Sequence, residues 1–158
     1  MTTRSGIGID VHPFSTDPGR PLVLGGVHFV GEPGLEGHSD ADVVAHAVCD
    51  AMLGAAGIGD IGQHFPDTDE RWRGADSLVL LAEAAARVRA AGYRFVNADC
   101  TVIAERPRIV VARDEMITKL TAAAGGPVHV KATRPEKLGS LGRVEGIACW
   151  AVASVEEV

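Results

Sequence analysis

Aromatic side chains are scarce in this sequence: Phe, Trp and Tyr together make up 4% of its 158 residues. So few rings exclude the extended stacking platforms that hold single-stranded nucleic acid. They also leave a core to be built from Ala, Val, Ile and Leu. An excess of positive charge is lacking too. A formal charge of -6 argues against a binder of the nucleic-acid backbone, which needs a basic surface to displace counterions, so no nucleic acid is expected as a partner. No apolar run is long enough to span a bilayer, and the N-terminus carries no apolar segment of the signal-peptide kind. The expectation is a cytoplasmic chain with no membrane partner. Cysteine is sparse: Cys49, Cys100 and Cys149 are far apart and lack CxxC spacing. That predicts buried free thiols rather than a disulfide framework or a thiolate metal site.

What is present points to one α+β domain over residues 1–158, a length at which a single core buries roughly two thirds of the unfolded surface. From Gly6 to His12 the residues alternate, with Ile7, Ile9 and Val11 on one side and Gly8, Asp10 and His12 on the other, which is the period of a strand. Leu22 to Leu24 and Val27 to Val30 read as a hairpin, because Gly25-Gly26 supplies the positive φ angles of a tight turn. Ser39 is placed to cap a helix from Asp40 to about Ala56, stopped by Gly57. A second helix is expected from about Asp76 to Ala91, as a packing element with Leu78, Leu81, Ala85 and Val88 inward, and a third from Ile109 to Ala124. Further strands are expected at 95–104, 128–133 and 147–155. The segment from Ile58 to Gly74 is too polar and too rich in Gly and Pro for a regular element, and long loops of this kind are commonly functional. Strands and helices do not alternate regularly, which predicts a mixed sheet with the helices packed on one face.

Three groups of residues carry chemistry. Asp10 and His12, two apart on a strand, present a carboxylate and an imidazole side by side, and His46 on the first helix is the candidate third ligand. Two nitrogens and a carboxylate suit a zinc ion whose fourth position stays open for water or substrate. Asp42 and Asp50, one helical turn before and after His46, are placed either to orient it or to stand as ordinary solvated charges. His38 and Ser39, ahead of the same helix, form either an anion-binding helix start or a surface loop with a simple cap. Lys131, Thr133, Arg134, Glu136, Lys137 and Arg143 gather cations and donors into one short stretch of an acidic chain, which suggests an anion site. There Glu136 is either the holder of a divalent ion that bridges phosphates or a salt-bridge partner.

Together these residues resemble the cyclodiphosphate synthase family. The shared motifs are Asp10-Val-His12, His38-Ser-Asp-Ala-Asp42, His46, Gly59-Asp-Ile-Gly62, Phe65-Pro-Asp-Thr-Asp69, Lys131-Ala-Thr133, Glu136-Lys-Leu-Gly139, and Gly142-Arg143 through Glu145-Gly-Ile-Ala148. They run from Ile7 to Val155 in the family's order and spacing. The resemblance implies a homotrimer with active sites between subunits. It implies conversion of 4-diphosphocytidyl-2-C-methyl-D-erythritol 2-phosphate into 2-C-methyl-D-erythritol 2,4-cyclodiphosphate, with release of CMP. It also implies Zn2+ on Asp10, His12 and His46, and Mg2+ or Mn2+ bridging the substrate phosphates with help from Glu136. His38 and Thr133 are then expected to steady the transition state. Thr133 is followed by Arg134 and Pro135 where many relatives carry further threonines, so Arg134 is a second candidate for that role. Asp60, Ile61 and Gly62, with Phe65, Pro66, Asp67, Thr68 and Asp69, are expected to contact the erythritol and phosphates. Ala104, Arg106, Pro107, Arg108, Ile109 and Val110 match the part that holds cytidine. Asp10, His12, His38, Ser39, Lys131, Ala132, Thr133, Arg134, Pro135, Glu136 and Arg143 complete the expected substrate-binding set. Relatives often hold an isoprenoid diphosphate in the trimer's central cavity through the arginine matching Arg143. Here Ser140 stands where an aromatic is common and Val144 where Gly is common.

Two other readings use the same residues. A non-haem iron oxygenase also employs two histidines and a carboxylate, but it leaves the cationic stretch unexplained, and oxygen-dependent turnover would mark it. A non-catalytic trimeric isoprenoid-diphosphate-binding protein with a structural metal would need a closed fourth coordination position, and it would bind metal without turnover.

Overall fold

In the computed structural model, which describes residues 2–158, the chain runs through β1 (Thr3–Pro13), a hairpin of β2 (Val23–Leu24) and β3 (Val27–His28), α1 (Val43–Ala56) and the short α2 (Ile61–His64). It continues through α3 (Ser77–Ala90), β4 (Tyr93–Ile103), α4 (Arg113–Ala124), β5 (Val128–Thr133), the one-turn α5 (Gly139–Gly142) and β6 (Gly146–Glu157). Four strands form one sheet in the order β1-β6-β4-β5. β6 is antiparallel to β1 and β4, while β4 and β5 are parallel, so the sheet is mixed, as expected. The three long helices form the second layer. α1 packs on β1 and β6, α3 on α1 and β4, and α4 on α3 and β5.

Two glycines of β1 decide how close that layer comes. A Cβ on Gly8 would lie 2.0 Å from the Ala47 carbonyl oxygen, and one on Gly6 would lie 2.3 Å from that of Ala51. Across the ladder their partners in β6 are Ala151 and Ala153. The α1 backbone therefore rests almost directly on the sheet, which only glycine in a strand permits. Small side chains fill what gap remains, and a chain poor in aromatics packs densely this way. Larger residues such as Met52, Leu81, Met116 and Leu120 are fully buried, each contributing roughly 1.5–3 kcal/mol of apolar burial.

The opposite face of the same strands is apolar and uncovered. Ile7, Ile9 and Val11 are 62%, 50% and 60% exposed, and Val152 and Trp150, paired across the ladder with Ile7 and Ile9, are 51% and 40% exposed. Alternation in an antiparallel edge strand ordinarily puts the apolar side on the core and the polar side in water. Here the glycine side faces the core instead.

Several boundaries differ from expectation. α1 starts at Val43, and its cap is Asp42, not Ser39: the Asp42 carboxylate accepts the N–H groups of Val44 and Ala45. The reason is the backbone of Ala41, whose φ of 57° turns the chain before the helix can begin. Asp42 is fully buried and also accepts the N–H groups of Gly25 and Gly26, at 2.8 and 2.7 Å. It thereby ties the hairpin turn to the helix. Burial and the nearby Asp40 push its carboxyl up to about 6, against the pull of those backbone donors. The third helix is shorter than expected: residues 109–111 form a 3-10 turn and α4 begins at Arg113. In α3 the inward side is Leu80, Leu81, Ala84, Ala85 and Val88, with Leu78 only partly buried. The long loop holds two short elements, α2 and a 3-10 turn at Glu70–Trp72. All three thiols are free and buried, and burial pushes Cys49 up, away from thiolate chemistry. Among the described residues, no helix is long and apolar enough to cross a membrane.

Candidate active site

The close approach of α1 to β1 brings His46 over Asp10. The Asp10 Oδ2 lies 3.0 Å from His46 Nδ1 and 3.1 Å from His12 Nε2. One ligand atom from each of Asp10, His12 and His46 falls within 4.8 Å of the others, the one such group of three among the described residues. The residues that spacing on a strand and a helix singled out are thus brought together.

Their proton arrangement suits a cation. His12 Nδ1 donates to the Glu36 carbonyl at 2.6 Å. A carbonyl only accepts, so the ring proton sits there and the Nε2 lone pair turns to Asp10. A carboxylate oxygen facing a bare imidazole nitrogen is a repulsive pair until a positive charge lies between them. A divalent ion fits, since two imidazole nitrogens and one carboxylate are a zinc-type donor set. Without a metal, a proton takes that place. Burial pushes the Asp10 carboxyl up, but the hydrogen bonds and attraction of His12 and His46 outweigh it and hold it at about 2. Burial pushes the His12 ring down, and the hydrogen bond and attraction of Asp10 overcome that, raising it.

The cluster lies on the wall of a cleft of about 510 Å³. His38, Ser39 and Gly37 line it beside the cluster, and Ile61, Gly62, Phe65, Pro66, Asp67, Trp72 and Leu80 form the remainder. A lining that combines polar ligands with apolar side chains is what a small molecule with a charged head and a carbon skeleton requires. His38 is anchored by its Nε2, which donates to the Asp69 carbonyl at 3.1 Å. It does not stand at a helix start, because α1 begins five residues later, at Val43. Asp60 does not line the cleft; it caps α2 by accepting the Gln63 N–H. Asp69 caps the 3-10 turn and pairs with Arg71 at 2.6 Å.

A second, smaller cleft of about 240 Å³ holds most of the other expected residues. Ala104, Pro107, Arg108, Ile109 and Val110 line it, together with Ala132, Thr133 and Arg134. Arg106 turns aside to pair with Glu32 at 2.8 Å. The cationic stretch does not gather into one cluster. Lys131 pairs with Asp99 at 2.6 Å and Arg143 with Glu145 at 2.8 Å. Pro135 is half-buried, and Glu136 is exposed and lines neither cleft. No residue is shared between the two clefts.

Asp42 and Asp50 do not orient His46. Asp42 is spent on the helix cap, and Asp50 accepts the Ile61 N–H at 3.1 Å, fixing the start of α2. The outer nitrogen of His46 instead meets the hydroxyls of Ser77 and Ser39, at 2.8 and 3.2 Å. Ser77 was not visible in the sequence as a site residue, because α3 reads as a packing helix. A serine at the first position after an Asp cap was the available signal. Glu105 and Arg113 in the second cleft were missed as well.

Comparison with known proteins adds to this geometry. The sequence profile of the YgbB family matches residues 3–156. The 2-C-methyl-D-erythritol 2,4-cyclodiphosphate synthase of Geobacillus thermodenitrificans is 54% identical over 157 residues, covering 98% of this chain and 97% of that protein. The bifunctional enzyme IspD/IspF of Anaeromyxobacter sp. is 56% identical over 156 residues, covering 97% of this chain but 40% of the relative, so the chain spans less than half of that protein. Among solved structures, IspF from Plasmodium falciparum in complex with CDP superposes with a TM-score of 0.84 at 31% identity, covering 98% of this chain and 96% of that one.

Proposed function

The chain belongs to the YgbB family of 2-C-methyl-D-erythritol 2,4-cyclodiphosphate synthases, and on that premise we propose that it closes 4-diphosphocytidyl-2-C-methyl-D-erythritol 2-phosphate into 2-C-methyl-D-erythritol 2,4-cyclodiphosphate and releases CMP. The observation that carries this is the convergence of Asp10, His12 and His46 on the wall of a cleft that is also lined by apolar side chains. In the reaction the substrate's own 2-phosphate oxygen attacks the β-phosphorus, a new P–O bond forms, and the bond to the CMP oxygen breaks with its electron pair leaving on CMP. The nucleophile is already an anion, so no side chain has to be deprotonated. What the protein supplies is position and charge.

Asp10, His12 and His46 would hold a divalent cation, for which we favour zinc; bound there it would draw charge from a phosphoryl oxygen. His38 lines the same cleft with its ring anchored, and it would steady the phosphoryl group in the transition state. Ile61, Phe65 and Pro66 offer the apolar surface for the methylerythritol carbons. The second cleft takes the cytidine end, with Thr133 and Arg134 toward its phosphates; the CDP complex of the Plasmodium falciparum relative supports a cytidine-linked ligand. Glu136 would help hold a second ion, magnesium or manganese, which would neutralise charge on the diphosphate.

Because the two clefts share no residue, one substrate is best served when the first cleft of one copy faces the second cleft of another. A homotrimer with sites between subunits meets this need, and the uncovered apolar face of Ile7, Ile9, Val11, Trp150 and Val152 is suited to its centre. Arg143 would have to leave Glu145 to take an isoprenoid diphosphate in such a centre. Phosphorus NMR of the protein with the diphosphocytidyl substrate, zinc and magnesium tests the function. Cyclic diphosphate and CMP are expected; unchanged substrate with the zinc-loaded protein would refute it.

A further inference from the structure

His46 differs from His12 in how its outer nitrogen is held. His12 leans on a carbonyl, which only accepts. His46 Nε2 meets the Ser77 Oγ at 2.8 Å, and a hydroxyl both donates and accepts. Alone, that contact leaves the ring free to take either tautomer. A second neighbour of Ser77 removes the choice: its hydroxyl also meets the Asp40 carboxylate, whose other oxygen accepts the Ser77 backbone N–H at 3.1 Å. A carboxylate accepts and a hydroxyl has one proton, so that proton goes to Asp40 and the Ser77 oxygen turns lone pairs toward His46. Nε2 must then carry the ring proton. The free lone pair falls on Nδ1, the atom 3.0 Å from Asp10 Oδ2. Ser77 is 1% exposed, so water does not compete for its hydroxyl. Nor is that hydroxyl needed for α3, whose cap is the Asp76 side chain.

We propose that Ser77, backed by Asp40, is a positioning residue that selects the His46 tautomer able to bind the cation shared with Asp10 and His12. The proposal rests on the metal reading of that cluster. Ser77 acts through His46 and touches no substrate. Outer partners of this kind typically set metal affinity by about 10- to 100-fold.

Asp40→Asn is the sharpest variant. Asp40 also accepts the Asp42 N–H at 3.1 Å on the oxygen that takes the Ser77 hydroxyl, so an amide at position 40, with one oxygen, cannot serve all three donors. With the amide NH2 toward Ser77 the hydroxyl donates to His46 Nε2 and drives the ring proton to Nδ1, against the metal; with the amide oxygen there, a neutral acceptor replaces a charged one and holds the Ser77 proton more weakly. Zinc affinity is measured by competition with a chromophoric chelator in the wild type, Ser77→Ala, Ser77→Thr, Asp40→Asn and Ser39→Ala, with circular dichroism of the metal-free forms. Ser77→Ala and Asp40→Asn are expected to bind zinc about 10- to 100-fold more weakly, with an altered visible spectrum in their cobalt(II) forms. Ser77→Thr, which keeps the hydroxyl, should rescue both. If Ser77→Ala does not fold, Asp40→Asn carries the test. Unchanged zinc affinity in these variants overturns the proposal, as does a loss that follows Ser39→Ala while Ser77→Ala keeps its affinity. A wild type that binds no zinc overturns the metal reading itself, and the two failures are thereby told apart.

Discussion

The two clefts differ in how firmly they are built. Around the first, Asp10 and His46 stand on β1 and α1, elements in backbone contact at Gly8, and both rings have partners for their outer nitrogens. Around the second, the segment after β5 is exposed from Arg134 to Ser140 except for Pro135. Among the described residues, three of the four non-glycine residues with positive φ, Glu136, Lys137 and Val144, lie in the stretch that ends at β6. Strain of this kind is kept where the surroundings determine it or where function uses it. The Asp10, His12 and His46 group is held by β1 and α1 of one chain and is preorganised, whereas on the proposed reading the second cleft is completed by substrate and a second copy.

The contrast can be broken first at the floor of the metal side. Gly8→Val would drive a Cβ into the Ala47 carbonyl and lift α1 off β1. Denaturant unfolding is expected to show a loss of more than about 4 kcal/mol, the range reserved for core disruption. His46→Ala should instead leave the metal-free fold intact by circular dichroism, and lower turnover by more than the roughly 100-fold typical of outer-shell metal partners. In the second cleft, Arg134→Ala would remove the charged hydrogen bond proposed to the substrate phosphates, worth about 1.5–3 kcal/mol. That predicts a roughly 10- to 100-fold drop in kcat/KM with zinc affinity unchanged, which separates the two clefts by titration and kinetics. The smallest effect is expected at Val144, whose φ of 60° is a left-handed position. Val144→Gly should raise stability by about 1 kcal/mol and the melting temperature by about 2–4 °C.

Much of this was legible in the sequence, for identifiable reasons. The period-two run of β1 and the Gly25-Gly26 turn gave local elements directly, and the resemblance placed Asp10, His12 and His46 together before any geometry was known. The burial of β1 was not readable from its alternation, because the side that packs is the one with no side chains at Gly6 and Gly8. The cap of α1 was misplaced at Ser39, since nothing in local sequence announces a left-handed Ala41. Ser77 escaped because its role depends on a contact 31 residues from His46. The separation of Thr133 and Arg134 from the metal side is a tertiary fact that spacing along the chain does not encode.

Mixing two inactive variants tests the account at its centre, a site for cyclising the diphosphocytidyl substrate that is divided between copies. His46→Ala spoils the first cleft and Arg134→Glu the second. Unfolding and refolding the two together in equal amounts should restore about one quarter of wild-type turnover, the chance that neighbours drawn at random contribute one intact half each. No recovery from variants that demonstrably co-assemble would mean that each chain holds its whole site alone, contradicting the division.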